Sequence, residues 1–366
     1  MECIMNKKKR IISPLLIISL FIFIPAMLLY SFASSSYTFA DFVNESLCQQ
    51  FRALMARFGE LFPFSLFEIL VFSLPLIIFL LIYSGVKHFS TVRGGIRFLI
   101  NLLAIVLIIY SGHTLALGIG YKTTPLAQKM QLQDTEVNVE NLSEVMISLR
   151  DEVNSLADAV PRNQKGVFDP GYSYACISEK ILESYSLIES EYGFAPGFKS
   201  TAKGVRAGAM MSYLGITGIY TYVTGEANVN TAYPAYDTIF TAAHEMSHQR
   251  GILRENEANF TAYLLTSTSN DENLRYSAAL SMYGYISSAL YRTDREAYLE
   301  IANGLSESAL TDIRASNAVT QKYGDTIIGD ISEWVNDFYL QSNGTDGTVS
   351  YSQVVTLTVA YFEKNK

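Results

Sequence analysis

The chain has 366 residues, 49% of them hydrophobic, and a formal net charge of −8 that is unevenly distributed. Residues 1–120 carry a formal charge of +4, whereas residues 121–366 carry −12. Because so acidic a C-terminal portion would repel phosphate backbones, we expect no nucleic acid among the partners of this protein. That portion has about 245 residues, which is long enough for a substantial domain.

Three long apolar segments in the first third of the chain predict membrane spans. Residues 11–33 and 98–121 contain no charged side chain, and residues 64–86 contain only Glu68. Each segment, folded as a helix, is long enough to cross the roughly 30 Å hydrocarbon core of a bilayer. The sequence therefore predicts a membrane region over residues 1–121, with the lipid bilayer as a partner.

Basic residues predict the orientation of these spans. Lys7–Arg10 precede the first span, and further basic side chains between Lys87 and Arg97 lie between the second and third. By the positive-inside rule, the N-terminus is cytoplasmic and residues 122–366 form an extracytoplasmic domain of a multi-pass cell-membrane protein. Cys48 and Cys176 would share that outer side, and the sequence leaves open whether they pair.

Patterns in the outer portion predict an α+β domain that is mostly helical. Apolar residues recur at helical spacing in two segments, and Ile, Tyr, Thr and Val concentrate in two short runs that favour the strands of a hairpin. From Thr238 onward, the sequence predicts an almost wholly helical structure. In order, the predicted helices are 137–160 and 178–192, and the predicted strands are 209–214 and 216–223.

The segment HEMSHQRG, residues 244–251, carries the clearest chemical signal. Its histidines, His244 and His248, are four residues apart, so both imidazoles lie on one helix face and can bind one Zn²⁺. Glu245 would lie beside the metal as a general base. These are the only histidines after residue 121, so a third ligand must come from another residue type.

Two glutamates that follow the motif are candidates for the third metal ligand. Gly251 can adopt the positive φ that ends a helix and reverses the chain, so a second helix over about 254–266 could return to the metal. Glu255 or Glu257 would then supply a carboxylate. Both cannot serve equally, because their side chains point about 200° apart on a helix, and we favour Glu255. Asn259, one turn after Glu255, would brace a ligand histidine.

Four stretches of the chain resemble an uncharacterised bacterial family of membrane-anchored zincin-like proteins, a domain of unknown function. They are GITGIYTYVTGEANVN (215–230), HEMSHQRG (244–251), ENEANF (255–260) and RYSAAL (275–280). The resemblance covers most of the chain. It implies a zincin-like fold for the outer domain. It also implies that His244, His248 and Glu255 are metal ligands and that Glu245 is the catalytic base. Many zincins have aspartate where this chain has Asn259.

These residues together predict a membrane-anchored zinc metallopeptidase that hydrolyses a peptide or protein substrate outside the cytoplasm. Zn²⁺ would polarise the peptide carbonyl and lower the pKa of a bound water molecule, from which Glu245 would remove a proton. A strand close to the metal helix could bind an extended substrate along its edge. The alternative is a non-catalytic zinc-binding membrane sensor or interaction module, because a fold does not guarantee its chemistry.

Overall fold

The computed structural model describes residues 13–324, 326–347 and 353–366, which form a mostly helical protein with one small sheet, as predicted. Short π-helical turns at Asn44–Cys48 and Thr114–Gly118 and a 3₁₀ turn at Gly120–Lys122 extend neighbouring helices. The strands are β1 Lys203–Val205, β2 Gly218–Thr221 and β3 Glu226–Asn230. The helices are α1 Pro14–Ala33, α2 Tyr37–Val43, α3 Gln49–Gly59, α4 Leu66–His88, α5 Val92–His113, α6 Leu126–Lys129, α7 Val139–Ala157, α8 Tyr174–Tyr192, α9 Gly208–Tyr213, α10 Ala235–Gln249, α11 Glu255–Ser267, α12 Glu272–Thr293, α13 Arg295–Ala302, α14 Glu307–Tyr323, α15 Ile327–Ser342 and α16 Val354–Lys364.

Helices α1, α4 and α5 are long and apolar enough to cross a membrane, which confirms the three spans predicted from the sequence. The third apolar stretch begins at Val92, earlier than predicted, because Thr91 caps the helix by accepting a hydrogen bond from the backbone N–H of Gly94. It continues through the turns after α5 as far as Lys122. The predicted start of the first span and the basic residues Lys7–Arg10 lie outside the described residues.

The part of the chain after the three spans is built around the helices that carry the HEMSHQRG motif and the glutamates that follow it. Helices α10, α11 and α12 pack against one another, with α7, α8 and α16 around them, and share one hydrophobic core. The predicted amphipathic helix over 137–160 is α7, whose inward face includes Leu142, Leu149 and Val153. Helix α8 begins at Tyr174, before its predicted start, because Ser173 caps it.

The small sheet lies beside this helical core. Strand β3 is central, because it pairs with β1 in parallel and with β2 in antiparallel, in the order β1-β3-β2. Strand β2 falls within the predicted strand 216–223. Its hairpin partner is β3, and Gly225, with φ of +70°, makes the turn between them possible. One side of β2 therefore remains an edge of the sheet.

The prediction of a strand over 209–214 is wrong, because this segment belongs to helix α9. A short apolar run does not distinguish a strand from a helix by its periodicity. Here Ala209, Met210 and Met211 are good helix formers, and the Ser212 hydroxyl donates a hydrogen bond of 3.0 Å to the carbonyl of Gly208, one helical turn back.

The N-terminal end of α4 and the C-terminal part of α5 are hydrogen-bonded directly to the sheet. Glu226 on β3 accepts hydrogen bonds from the first two backbone N–H groups of α4, Leu66 (3.0 Å) and Phe67 (2.9 Å). The Tyr222 hydroxyl donates to the carbonyl of Ile109 on α5 at 3.1 Å. The predicted boundary near residue 121 thus has hydrogen bonds across it.

Cys48 and Cys176 are both free. Cys48 is buried at the end of the π-helical turn between α2 and α3, whereas Cys176 lies in the first turn of α8 and is partly exposed. The pairing that the sequence left open is therefore not present in the structure.

Candidate metal centre

Helix α10 presents both motif histidines at its C-terminal end. The ring centroids of His244 and His248 are 4.5 Å apart, and the ring planes are nearly perpendicular, at 86°. The helix ends just beyond them because Gly251 adopts φ of +91°, and its N–H donates to the carbonyl of His248 at 2.9 Å. The chain reverses at this point, as the sequence predicts.

Helix α11 begins at Glu255 and brings its carboxylate to the two imidazoles. Oε2 of Glu255 lies 3.3 Å from Nε2 of His244 and 3.5 Å from Nε2 of His248. In a tetrahedral zinc site with ligands at 2.0–2.1 Å, neighbouring ligand atoms are about 3.3 Å apart. The three residues form a group of side chains that could hold a metal ion, and their spacing and donor atoms fit Zn²⁺.

Glu255 supplies the negative charge of this group, and a metal ion would have to displace the proton that this charge favours on His248. Burial disfavours the charged form of His248, but the adjacent Glu255 carboxylate outweighs burial and raises the pKa of His248 to about 9. Burial alone would raise the pKa of Glu255, whereas the two histidines lower it well below its usual range. Glu255 is therefore ionised at neutral pH, as a metal ligand must be.

A backbone carbonyl orients His248. Nδ1 of His248 lies 2.8 Å from the carbonyl oxygen of Ile252, so a proton on Nδ1 leaves the lone pair of Nε2 free for a metal. We expected Asn259 to brace a ligand histidine, but Nδ2 of Asn259 and Nδ1 of His244 are both buried without a hydrogen-bond partner among the described residues. The reversal at Gly251 brings the Ile252 carbonyl to His248 instead.

Glu257, the alternative third ligand, binds other groups. Its Oε1 accepts hydrogen bonds from the backbone N–H of Leu126 at 2.8 Å and from the guanidinium group of Arg254 at 3.0 Å. Arg254 also donates to the backbone carbonyls of Tyr121 and Thr123. Glu257 thus fastens α11 to the segment that follows the third span.

Glu245 lies under strand β2. The backbone N–H of Tyr220 donates a hydrogen bond to its carboxylate. A Cβ atom at Gly218 would lie 2.6 Å from Oε1 of Glu245, so the absence of a side chain there lets the strand approach the helix. Burial raises the pKa of Glu245, and the nearby histidines oppose this effect. The carboxylate is thus a stronger base than one in water.

A cavity of about 1140 Å³ opens above these residues. His244, Glu245, His248 and Glu255 line its floor, and Asn259 also borders it. One wall is formed by residues 216–222, which include the edge strand β2, and another wall is formed by helix α15. The structure therefore gathers the predicted site residues other than Glu257 around one space.

The sequence model of one protein family matches residues 44–359, most of the chain. The chain belongs to the family described as Protein of unknown function (DUF3810). The segment that matches DUF3810 includes α4, α5, the sheet and both helices of the metal-ligand group. No curated protein and no solved structure matches the chain. Membership of DUF3810 therefore assigns the chain to a family but does not indicate an activity.

The sequence of this DUF3810 chain predicts helix after Thr238, but it does not indicate that Tyr285 and helix α15 border the site. Tyr285, on α12, lines the cavity, and burial together with the charge of Glu255 raises its pKa. It remains protonated at neutral pH and can donate a hydrogen bond. The chain has 24 tyrosines, and no spacing relates Tyr285 to the histidine motif, so only the folded arrangement identifies it.

Proposed function

We propose that the protein is a membrane-anchored zinc metallopeptidase of the zincin-like kind that hydrolyses peptide bonds. The observation that carries this proposal is the convergence of Glu255 on His244 and His248 at distances that fit a tetrahedral zinc site. Glu245 is adjacent in sequence and lies on the same cavity. Two imidazoles, one carboxylate ligand and a buried second carboxylate are the parts that metal-assisted hydrolysis needs.

The roles of the residues follow from their positions. Bound zinc would supply Lewis acidity toward the peptide carbonyl and toward water. Glu245 would accept a proton from the attacking water and deliver it to the leaving amine, a role that its raised pKa favours. Tyr285 can donate a hydrogen bond to the negative charge that develops on the carbonyl oxygen.

Strand β2 offers a place for the substrate. Its outer edge faces the cavity, so an extended peptide could pair with the main-chain groups of β2 that Glu245 does not engage. Gly218 keeps this edge close to Glu245, so a peptide bound along it would lie beside the proton acceptor. The substrate would then be a peptide or an unfolded segment of a protein.

We further propose that this site lies outside the cytoplasm. The basic residues Lys87, Arg93 and Arg97 surround the short turn between α4 and α5. The sheet is bonded to the opposite ends of these two helices, at Leu66 and Ile109. With the basic turn in the cytoplasm, the cavity is on the other side of the membrane.

The test uses the full-length protein in detergent. We expect one zinc ion per chain and cleavage of some members of a diverse peptide mixture. Glu245→Gln keeps the size of the side chain but cannot accept the proton, so zinc should remain bound while the cleavage rate falls about 10² to 10⁴-fold. Absence of zinc would reject the metal centre. Zinc binding without cleavage would instead support the non-catalytic sensor or interaction module.

A further inference from the structure

Helix α15 has a large exposed apolar face. It carries six bulky hydrophobic side chains whose exposed fractions range from 52% to 78%. Their spacing of three, four and one residues places them along one side of the helix. These residues, called the α15 apolar face below, are Ile327, Ile328, Ile331, Trp334, Val335 and Phe338.

The other side of α15 forms a wall of the cavity. Asp330, Glu333 and Asn336 are among the residues that line it. The helix therefore lies between the cavity, which contains the proposed metal centre, and an apolar outer surface. Such a division is typical of amphipathic helices that lie in the interface plane of a membrane.

The C-terminal end of α15 is held at the outer end of the third span. The ring of Tyr339 lies 5.8 Å from that of His113 and 6.3 Å from that of Tyr121, measured between centroids. Just beyond the helix, the backbone carbonyl of Asn343 accepts a hydrogen bond of 2.9 Å from Nζ of Lys122. Because the apolar stretch of the span ends at Lys122, this end of α15 is at the level of the lipid headgroups.

A second segment at the same level also exposes apolar side chains. The segment between α1 and α4, which includes α2 and α3, must lie at the outer end of the spans, since it connects two of them. Within it Leu54, Phe58 and Leu61 are between 49% and 73% exposed. The α15 apolar face and this segment thus both expose apolar side chains near the outer ends of the membrane helices.

We propose that α15 lies in the outer interface of the bilayer that the spans cross, with its apolar face among the acyl chains and its polar face toward the cavity. Helix α15 has no Lys or Arg, so the contact rests on apolar burial and needs no anionic lipid. The occupant of the apolar face is the lipid bilayer itself. This proposal does not depend on zinc or on peptide cleavage.

Trp334, the only tryptophan of the chain, reports directly on this contact. The experiment uses the full-length protein, one copy per nanodisc, in phosphatidylcholine with or without brominated acyl chains. We expect a blue-shifted Trp334 emission, of which the brominated lipid removes roughly half, since interfacial helices reach about 5–10 Å into the acyl boundary. The matched control is the double variant W334F/Y291W, which places the reporter on α12, at a residue that is 47% exposed.

The control reporter should have a water-like emission that brominated lipid does not change. Three results would overturn the proposal. The first is a Trp334 emission as red and as accessible to aqueous acrylamide as that of the control. The second is equal quenching of both reporters by bromine. The third is a blue shift that bromine does not affect and that is seen only in nanodiscs prepared with two copies of the protein. That result would show that a second copy covers the apolar face.

Discussion

Glu257 accepts a hydrogen bond of 2.8 Å from the backbone N–H of Leu126, although 131 residues separate the two in sequence. Glu255, two positions earlier, directs its carboxylate to the histidines instead. Two glutamates that differ little in sequence context therefore have different tasks. One belongs to a group that could hold a metal ion, and the other fastens α11 to the segment after the third predicted span.

The two glutamates should respond differently to the same substitution. Glu255→Gln removes an anionic ligand, so zinc affinity should fall by more than the roughly 10 to 100-fold typical of outer-sphere changes. Glu257→Gln should keep zinc but lower the free energy of unfolding by about 1–3 kcal/mol, because a buried hydrogen-bonded carboxylate is lost. Zinc titrations and unfolding curves of both variants separate these outcomes. Loss of zinc in Glu257→Gln alone would reverse the assignment.

His248→Ala should abolish stoichiometric zinc binding. Its Nε2 is one of three donor atoms at the site, and Nδ1 is already engaged with the Ile252 carbonyl. His88→Ala is the matched control, since His88 is exposed at the end of α4. Elemental analysis of the purified full-length variants measures the effect. A His248→Ala protein with one zinc per chain would contradict the proposed site.

Gly218→Ala should impair cleavage without removing zinc. The new methyl group would lie 2.6 Å from Oε1 of Glu245 and 2.5 Å from Cγ2 of Thr241, so the base or the strand must move. A misplacement of about 1 Å can cost roughly 100-fold in rate. Gly284→Ala, where an added Cβ meets nothing within 4 Å, is the control and should keep full activity. Equal rates for both variants would show that β2 does not position Glu245.

Asp237 should make the stability of the protein depend on pH. Its Oδ2 is buried without a hydrogen-bond partner among the described residues, and burial raises the pKa of this carboxyl from 3.8 to about 7. Since the folded state holds the proton more tightly, this contribution to stability is complete below pH 3.8 and is lost as the pH rises through about 7.

Asp237→Asn removes this dependence. Relative to the parent, the variant should gain up to about 4 kcal/mol in unfolding free energy between about pH 4 and pH 8. Unfolding curves at several pH values measure the difference, and Asp134→Asn, at an exposed position, should show none. A gain that does not change with pH would mean that Asp237 ionises normally in the folded protein.

The orientation in the membrane can be tested with a reporter enzyme that works only outside the cytoplasm. Fused after Lys366 it should be active, and inserted at Ser90, between α4 and α5, it should be inactive. The reverse pair of results would place the cavity inside the cell.

Local patterns were sufficient for part of this structure. The spans were predictable because long uncharged runs have few alternatives, and the pairing of His244 with His248 follows from helix geometry alone. To choose between Glu255 and Glu257 as the metal ligand, one must know how α11 is rotated about its axis. In the structure, Leu126 and Arg254 donate hydrogen bonds to Glu257, and Glu255 faces the histidines. Those bonds join distant parts of the chain.

Other features depend entirely on such distant contacts. Strand β3 reads as the polar segment EANVN, yet every residue in it is buried. Its Glu226 and Asn228 accept hydrogen bonds from Leu66 and Ser65, respectively. These residues are about 160 positions earlier, so no local sequence pattern predicts the bonds. The place of α15 over the cavity likewise rests on its contact with His113, more than 200 positions earlier.

The hydrogen bonds between Glu226 and the first turn of α4 connect the second span mechanically to the sheet that borders the cavity. Helix tilt in a bilayer follows the match between helix length and hydrocarbon thickness. A change in the tilt of α4 would move Glu226 and, through the pairing of β3 with β2, the edge that covers Glu245. The thickness of the surrounding membrane would thus influence the distance between the edge strand β2 and Glu245, and with it the width of the cavity.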